Sequence, residues 1–260
     1  METPFITKQQ FNKIRKFIPV RKHAKRLDDL KVLSAIILVI RYGLPWRQIP
    51  EIYGKWKSIY SRFRRWSKLG IIKKIFNSLT EKLPKRCTAM IDSTFSKAQR
   101  SASSMRSDGE DRALGRSRGG VTTKIHLLCN SDSQPMDFIL TGGNVSDIKV
   151  APVLTTRNRM KVLIADKAYG ARTYRELLHK RHIQECIPPK CNEKNPLAYD
   201  KKIYKTRHII ENMFSRLKDW QGVAFRGNRC AYTFYSFVAL ALIFIFLNAD
   251  RAYGLSALIF

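Results

Sequence analysis

Apolar residues recur at three- and four-residue steps in the first third of the chain, and from Cys87 onward they gather into short runs. The first pattern is helical. Residues 28–42 open on Asp28 and Asp29, continue as Leu-Lys-Val-Leu-Ser-Ala-Ile-Ile-Leu-Val-Ile-Arg-Tyr, and stop before Gly43, which predicts a buried helix. Pro45 then opens a short helix over Trp46–Tyr53 that Gly54 closes. A third helix is expected over Lys55–Leu69, ended by Gly70, with Trp56, Ile59, Tyr60, Phe63 and Trp66 on one packed stripe. Lys57, Ser61, Arg62, Arg64, Arg65 and Lys68 fill the rest of its surface. Two helices joined by a glycine turn, the second strongly basic, suggest a helix-turn-helix; a small helical bundle with a solvated basic face is the plainer alternative.

The second pattern predicts strands at Thr88–Phe95, Val121–Cys129, Pro135–Thr141, Lys161–Ala165 and Ile183–Ile187. Helices are expected between the later ones, over Asp147–Leu154 and Arg172–Arg181. Three strands in a row, followed by alternating helix and strand, describe a mixed α/β sheet. The stretch Ser96–Gly120 is rich in Ser, Gly and Arg and reads as a loop. The longest apolar run, Phe237–Leu247, has 11 residues. It is too short to span a bilayer and reads as a buried helix. The opening Met-Glu-Thr-Pro-Phe has no basic segment leading into an apolar one, so no signal peptide is expected and the location is read as cytoplasmic, with no membrane partner.

Charge narrows the class. Among 260 residues, 49 Lys+Arg stand against 20 Asp+Glu, a formal net charge of +29. Like charges repel in a compact state, so such an excess points to a polyanionic partner. Residues 1–86 hold 22 basic against 5 acidic residues, and the remaining 174 hold 27 against 15. The helical third is therefore the expected nucleic-acid-binding part, with Arg62, Arg64 and Arg65 as candidate contacts. Five scattered cysteines do not form a disulfide framework. His179, His182, Cys186 and Cys191 have a spacing that zinc could use, but Cys186 lies in an apolar run, and burial is the preferred explanation.

Two carboxylates end apolar strands: Asp92 after Ala-Met-Ile, and Asp166 after Val-Leu-Ile-Ala. A carboxylate is costly to bury there without a partner, although Asp also ends strands as a turn residue. On neighbouring strands the pair could bind a divalent cation. A third candidate lies in Tyr204-Lys-Thr-Arg-His-Ile-Ile-Glu-Asn-Met-Phe-Ser-Arg-Leu-Lys218. At about 100° per residue, Arg207, Glu211 and Lys218 fall at about 300°, 340° and 320° from Tyr204, on one face. Ile209, Ile210, Met213 and Leu217 are left to pack on the other side. Asp147 and Asp219 read as a helix cap and a solvated helix end.

Tyr204, Arg207, Glu211 and Lys218 together match the Y-x2-R-x3-E-x6-K pattern of bacterial insertion-sequence transposases, and the chain resembles the insertion-sequence-5 type within the acidic-triad (DDE) class. Met90-Ile-Asp92-Ser-Thr94 and Ala165-Asp166-Lys-Ala-Tyr169-Gly are similar to the first and second acidic motifs. Gly115–His126, Leu140–Asp147 and Cys186–Pro189 resemble the segments around them, and residues 10–80 resemble the N-terminal module of the same group. After Lys218 the chain departs from its relatives: Phe225-Arg-Gly-Asn-Arg229 keeps an arginine, Arg226, and lacks their aromatic and acidic residues.

The resemblance implies a helical DNA-end-binding domain over 1–86 and an RNase H-like catalytic domain over 87–260. Only 44 residues separate Asp166 from Glu211, too few for a large inserted domain there. It implies two Mg2+ or Mn2+ ions, Asp92 bridging them and Asp166 and Glu211 holding one each, because hard oxygens suit these ions. The implied reaction is cleavage at the terminal inverted repeats of an insertion sequence, then transfer of the 3′-OH ends to target DNA. Arg207 and Lys218 would contact phosphate, and Tyr204 would stack or hydrogen-bond near the cut end. An ion pair between Arg207 and Glu211 is the other reading of that arginine. The partner is double-stranded DNA, bound by a dimer or larger assembly because two ends must be joined. A non-mobile nuclease on the same fold would carry the same carboxylates.

Overall fold

The computed structural model describes residues 6–19, 27–103, 112–190 and 197–248. Its first elements are α1 (Lys8–Arg15), α2 (Asp29–Tyr42), α3 (Trp56–Lys68), α4 (Ile71–Thr80), β1 (Thr88–Ala98), α5 (Arg100–Ser103), β2 (Gly115–Ser117), β3 (Gly120–Asn130) and β4 (Pro135–Gly142). There follow α6 (Asp147–Arg157), β5 (Val162–Ile164), α7 (Arg172–Lys180), β6 (Gln184–Cys186), α8 (Lys201–Tyr204), α9 (His208–Lys218), α10 (Gln221–Ala224), β7 (Phe225–Arg226) and α11 (Ala231–Leu247). The chain divides into two compact units. One takes residues 1–79, 98–109 and 217–260, and the other takes 80–97 and 110–216. The division is therefore not a single cut after residue 86, because the C-terminal segment joins the N-terminal helices.

That grouping follows from the character of α11. It is apolar on every side and must be covered all round. Phe237 lies 5.3 Å from the ring of Phe63 on α3 and 6.3 Å from that of Trp46, and Trp46 stacks on Phe63 at 5.2 Å. The helix α2 begins as expected: Asp28 is its N-cap, accepting a hydrogen bond from the Leu30 amide at 3.2 Å, and Gly43 ends it at φ +64°. Within α3, Ile59, Phe63 and Trp66 are buried, as the stripe requires. The short helix expected over Trp46–Tyr53 is instead two 3-10 turns, Trp46–Gln48 and Glu51–Tyr53. Pro50 lies between them and has no N–H to carry a helix through. The element before the Gly54 turn is therefore a pair of 3-10 turns, and the basic α3 follows that turn as expected.

The second unit is built on a mixed sheet. Its strands run in the order β2-β3-β1-β5-β6, with β4 also paired to β3. β1, β2 and β4 are antiparallel to β3, whereas β1 and β6 are parallel to β5. This is the RNase H-like arrangement that the resemblance implies: an antiparallel meander followed by parallel strands reached through helices. Ala89 and Ile91 of β1, Leu128 of β3 and Leu163 of β5 pack with Val150, Ala151 and Leu154 of α6 and Tyr174 and Leu178 of α7. That packing defines the helix-covered face of the sheet. On α7, buried Arg175 donates to Glu185 of β6 at 2.8 Å, an ion pair that fixes the helix to its strand.

Candidate active site

The parallel pairing of β1 with β5, in which Thr88 faces Val162 and Met90 faces Ile164, brings Asp92 and Asp166 toward the same end of the sheet. The ladder stops two residues before Asp166, whose charge bears on the Asp92 carboxyl. Asp92 is part-buried, and its Oδ1 accepts the Ser93 amide at 2.8 Å. Asp166 is the N-cap of a 3-10 turn, Lys167–Tyr169, its Oδ1 accepting the Ala168 amide at 2.8 Å. Burial raises the Asp92 carboxyl above its ordinary range, and the charges of Asp166 and Asp147 push the same way against the Ser93 amide and Arg207. A carboxylate under this load gains much from a cation.

The cation at hand is Arg207. Its Nη1 donates to Glu211 Oε1 at 2.7 Å and to Asp92 Oδ2 at 3.4 Å, so one guanidinium links two of the three carboxylates. The chain is not one helix from Tyr204 to Lys218: α8 ends at Tyr204, Lys205–Arg207 is a 3-10 turn, and α9 starts at His208. A 3-10 turn eclipses residues three apart, which sets Tyr204 over Arg207. Burial raises the Tyr204 hydroxyl above its ordinary value, with Asp166 adding to the rise and Arg207 opposing it. Ile210, Met213 and Leu217 of α9 are buried as the periodicity predicts. Glu211 and Lys218 are exposed, and Lys218 ends α9 within the first compact unit.

A second polar cluster involves residues that the motifs include but whose roles they do not reveal. Asp147 is not the helix cap: Ser146 is the N-cap of α6. Asp147 Oδ1 instead accepts from Ser93 Oγ at 2.7 Å and lies 3.1 Å from Lys124 Nζ and 3.4 Å from His126 Nδ1. Lys124 also donates to the Val145 carbonyl at 2.7 Å, and His126 Nε2 meets Thr141 Oγ1 at 2.8 Å. A Cβ on Gly143 would overlap Thr122 Oγ1, which accounts for the second glycine of Leu140-Thr-Gly-Gly. The signal in the sequence is the alternation Lys124-Ile-His126, two titratable residues pointing the same way in a strand whose other residues are apolar or uncharged.

The donor set fits divalent metal, since Asp92 and Asp166 offer hard oxygens close enough for the charge of one to bear on the other, and Arg207 stands as a cation between Asp92 and Glu211. Among the described residues, no three His, Cys, Asp or Glu side chains converge closely enough to hold one ion. For zinc, His179 Nε2 instead lies 3.3 Å from Glu185 Oε1 and Cys186 Sγ donates to the Asp200 carbonyl at 3.3 Å, while Cys191 lies outside the described residues. Of the candidate DNA contacts, Arg64 is exposed and Arg65 part-buried. Arg62 is occupied differently: its Nη1 donates to Leu27 O at 2.9 Å and Asp29 Oδ1 at 2.7 Å, holding α3 to the start of α2. Arg226, retained from the family pattern, is fully buried and donates to the Asn228 carbonyl at 3.0 Å with Phe234 beneath it at 4.8 Å. No helix among the described residues is long and apolar enough to cross a membrane.

Two family models match the chain, one described as "Putative transposase of IS4/5 family" over residues 6–76 and one as "Transposase DDE domain" over residues 83–248. The chain is 28% identical over 131 residues to a Brucella ovis protein described as "Putative transposase for insertion sequence element IS6501", covering 49% of this chain and 100% of that protein. It is 28% identical over 109 residues to "Uncharacterized protein y4sN" of Sinorhizobium fredii, covering 41% of this chain and 86% of that one. Among solved structures, a Mos1 transposase paired-end complex with left transposon end covers 91% of this chain and 82% of its own at 11% identity and a TM-score of 0.30. A piggyBac transposase synaptic complex with hairpin DNA covers 96% and 74% at 8% identity and a TM-score of 0.44. Both scores are too low for a shared fold to follow from them. The match over residues 83–248 runs from just before β1 through the whole of α11 and takes in all three carboxylates, so the chain belongs to the DDE-domain transposases.

Proposed function

We propose that this transposase binds the terminal inverted repeats of an insertion sequence, cleaves at its ends and joins the freed 3′-OH ends to target DNA. What supports the proposal is the Arg207 guanidinium, which links Asp92 to Glu211 beside an Asp166 whose charge bears on the Asp92 carboxyl. Asp92, Asp166 and Glu211 would hold two Mg2+ or Mn2+ ions. Bound there, the ions would activate as nucleophile either a water or the 3′-hydroxyl of a cleaved DNA end, and would stabilise the departing oxygen. The remaining work falls to other residues of the chain. Arg207 compensates the carboxylates before metal arrives and is free to turn to a phosphate afterwards, a role its fork-shaped guanidinium suits. Tyr204 and Lys218 position the DNA end. Residues 1–86, with Arg64 and Arg65, supply backbone contacts that fix register on the repeats. The assembly on DNA is at least a dimer, acting on chromosomal or plasmid DNA in the bacterial cytoplasm.

Cleavage of a terminal-repeat duplex tests this reading. Asp92→Asn, Asp166→Asn and Glu211→Gln should each abolish cleavage and strand transfer in Mg2+ and in Mn2+ while binding to the repeat survives. The amides keep shape but lose the anionic oxygen that a doubly charged ion needs. Near-normal turnover by Glu211→Gln would remove α9 from the site and overturn the proposal.

A further inference from the structure

The cluster around Asp147 lies on the wrong side of the sheet to be part of the metal centre. Side chains alternate along a strand, so Ser93 points to the helix-covered face and Asp92 to the other. Register puts His126 opposite Ser93 and Lys124 opposite Phe95, on the same face as Ser93. Asp147 reaches this face from the first turn of α6. Its charge is matched there by Lys124, and both groups are largely withdrawn from water.

Ser93 connects the two faces. Its hydroxyl donates to Asp147 Oδ1 at 2.7 Å, while its own backbone amide donates to Asp92 Oδ1 at 2.8 Å. We propose that Asp147 is a positioning residue for Asp92, acting through Ser93: the α6 carboxylate, itself anchored by Lys124, fixes the middle of β1 so that the contact from the Ser93 amide and the orientation of the Asp92 carboxylate are set before DNA or metal binds. Lys124 secures the other end, since it also grips the Val145 carbonyl in the loop that delivers Asp147. The cluster thereby ties β1, β3 and the start of α6 together behind the site. This gives the Lys124-Ile-His126 and Asn144-Val-Ser-Asp147 segments a common task.

The inference rests on reading Asp92 as a metal ligand, and the test separates the two. Mn2+ binding to the full-length protein is measured by titration calorimetry for Asp147→Ala, Ser93→Ala, their double variant, Ser93→Thr and Asp92→Asn. Loss of an outer partner of a metal ligand costs about 10-fold or more in affinity, so Asp147→Ala and Ser93→Ala should each weaken Mn2+ binding by about that factor. Because both break one link, the double variant should be within about two-fold of the weaker single variant. Ser93→Thr keeps the hydroxyl and should restore binding to within about two-fold of the unaltered protein. A merely structural role for Asp147 would lower the melting temperature without this pattern. Unchanged Mn2+ affinity in Ser93→Ala, or effects that multiply in the double variant, would overturn the positioning role. If Asp147→Ala fails to fold, the Ser93→Ala and Ser93→Thr pair decides alone. Unchanged binding in Asp92→Asn would sink the metal-site reading itself.

Discussion

His126 should make the protein sensitive to acid by a predictable amount. The imidazole is 1% exposed, and burial pulls its pKa from 6.5 down to about 4, with Lys124 acting in the same direction and Asp147 opposing. In the unfolded chain the ring titrates normally. Between pH 6.5 and 4 the unfolded state therefore binds a proton that the folded state refuses. The sign is fixed: the stability contributed by the neutral ring is complete above 6.5 and is lost as the pH falls toward 4. The interval from 6.5 to about 4 spans roughly 2.5 pH units at about 1.36 kcal/mol each, which gives about 3 kcal/mol. The perturbation is His126→Gln, which removes the titrating group and retains a polar side chain. Urea unfolding is followed at pH 7, 6, 5 and 4. The starting stability of the variant will be lower, but its fall between pH 7 and 4 should be smaller than that of the unaltered protein by about 3 kcal/mol, concentrated below 6.5. Parallel profiles for the two proteins would refute the reasoning, as would an imidazole seen by NMR to titrate near 6.5.

Two contrasts among arginines extend the argument. Arg62→Ala should cost about 1.5–3 kcal/mol in unfolding free energy, since it removes a hydrogen-bonded ion pair between α3 and the start of α2. Arg64→Ala should leave melting nearly unchanged and reduce the log–log salt slope of DNA binding by about 0.9, read from titrations at several salt concentrations. Arg226→Leu should lower stability by about 1–3 kcal/mol by leaving the Asn228 carbonyl without its donor, with thermal melting as the readout.

Much of this architecture is legible without coordinates. The strands bearing Asp92 and Asp166 are apolar runs ended by an acid, and α9 declares its buried side through Ile210, Met213 and Leu217. The helix α4 is absent from the expectations drawn from sequence, although Ile71, Ile75 and Leu79 recur at helical steps. What hides is whatever depends on register or on tight turns. Pro50 splits an expected helix, a break that the missing N–H makes legible in the sequence, whereas the 3-10 turn at Lys205–Arg207 rests on local preferences too small to read from pattern alone. Arg62 looks like its neighbours on a basic face until Asp29 is found 2.7 Å away. Asp147 looks like a cap because nothing in a linear sequence says that Ser93 and Lys124 converge on it, a consequence of pairing β1 to β3 residue by residue.

The dependence of the N-terminal helices on α11 sets an order for biosynthesis. At about 5–20 residues per second, the ribosome needs roughly 10–30 seconds after finishing α3 to reach α11. Until then Phe63 and Trp46 wait without the Phe237 ring that they pack against in the finished protein. The nascent helical module carries an uncovered apolar patch through that interval, when association with other chains or with a chaperone competes with folding. A reading-frame break or stop codon anywhere before residue 231 would remove α11 and strand that module permanently. A truncated copy of this gene would thus yield not a free DNA-binding fragment able to occupy the repeats but a helical remnant prone to aggregation and proteolysis.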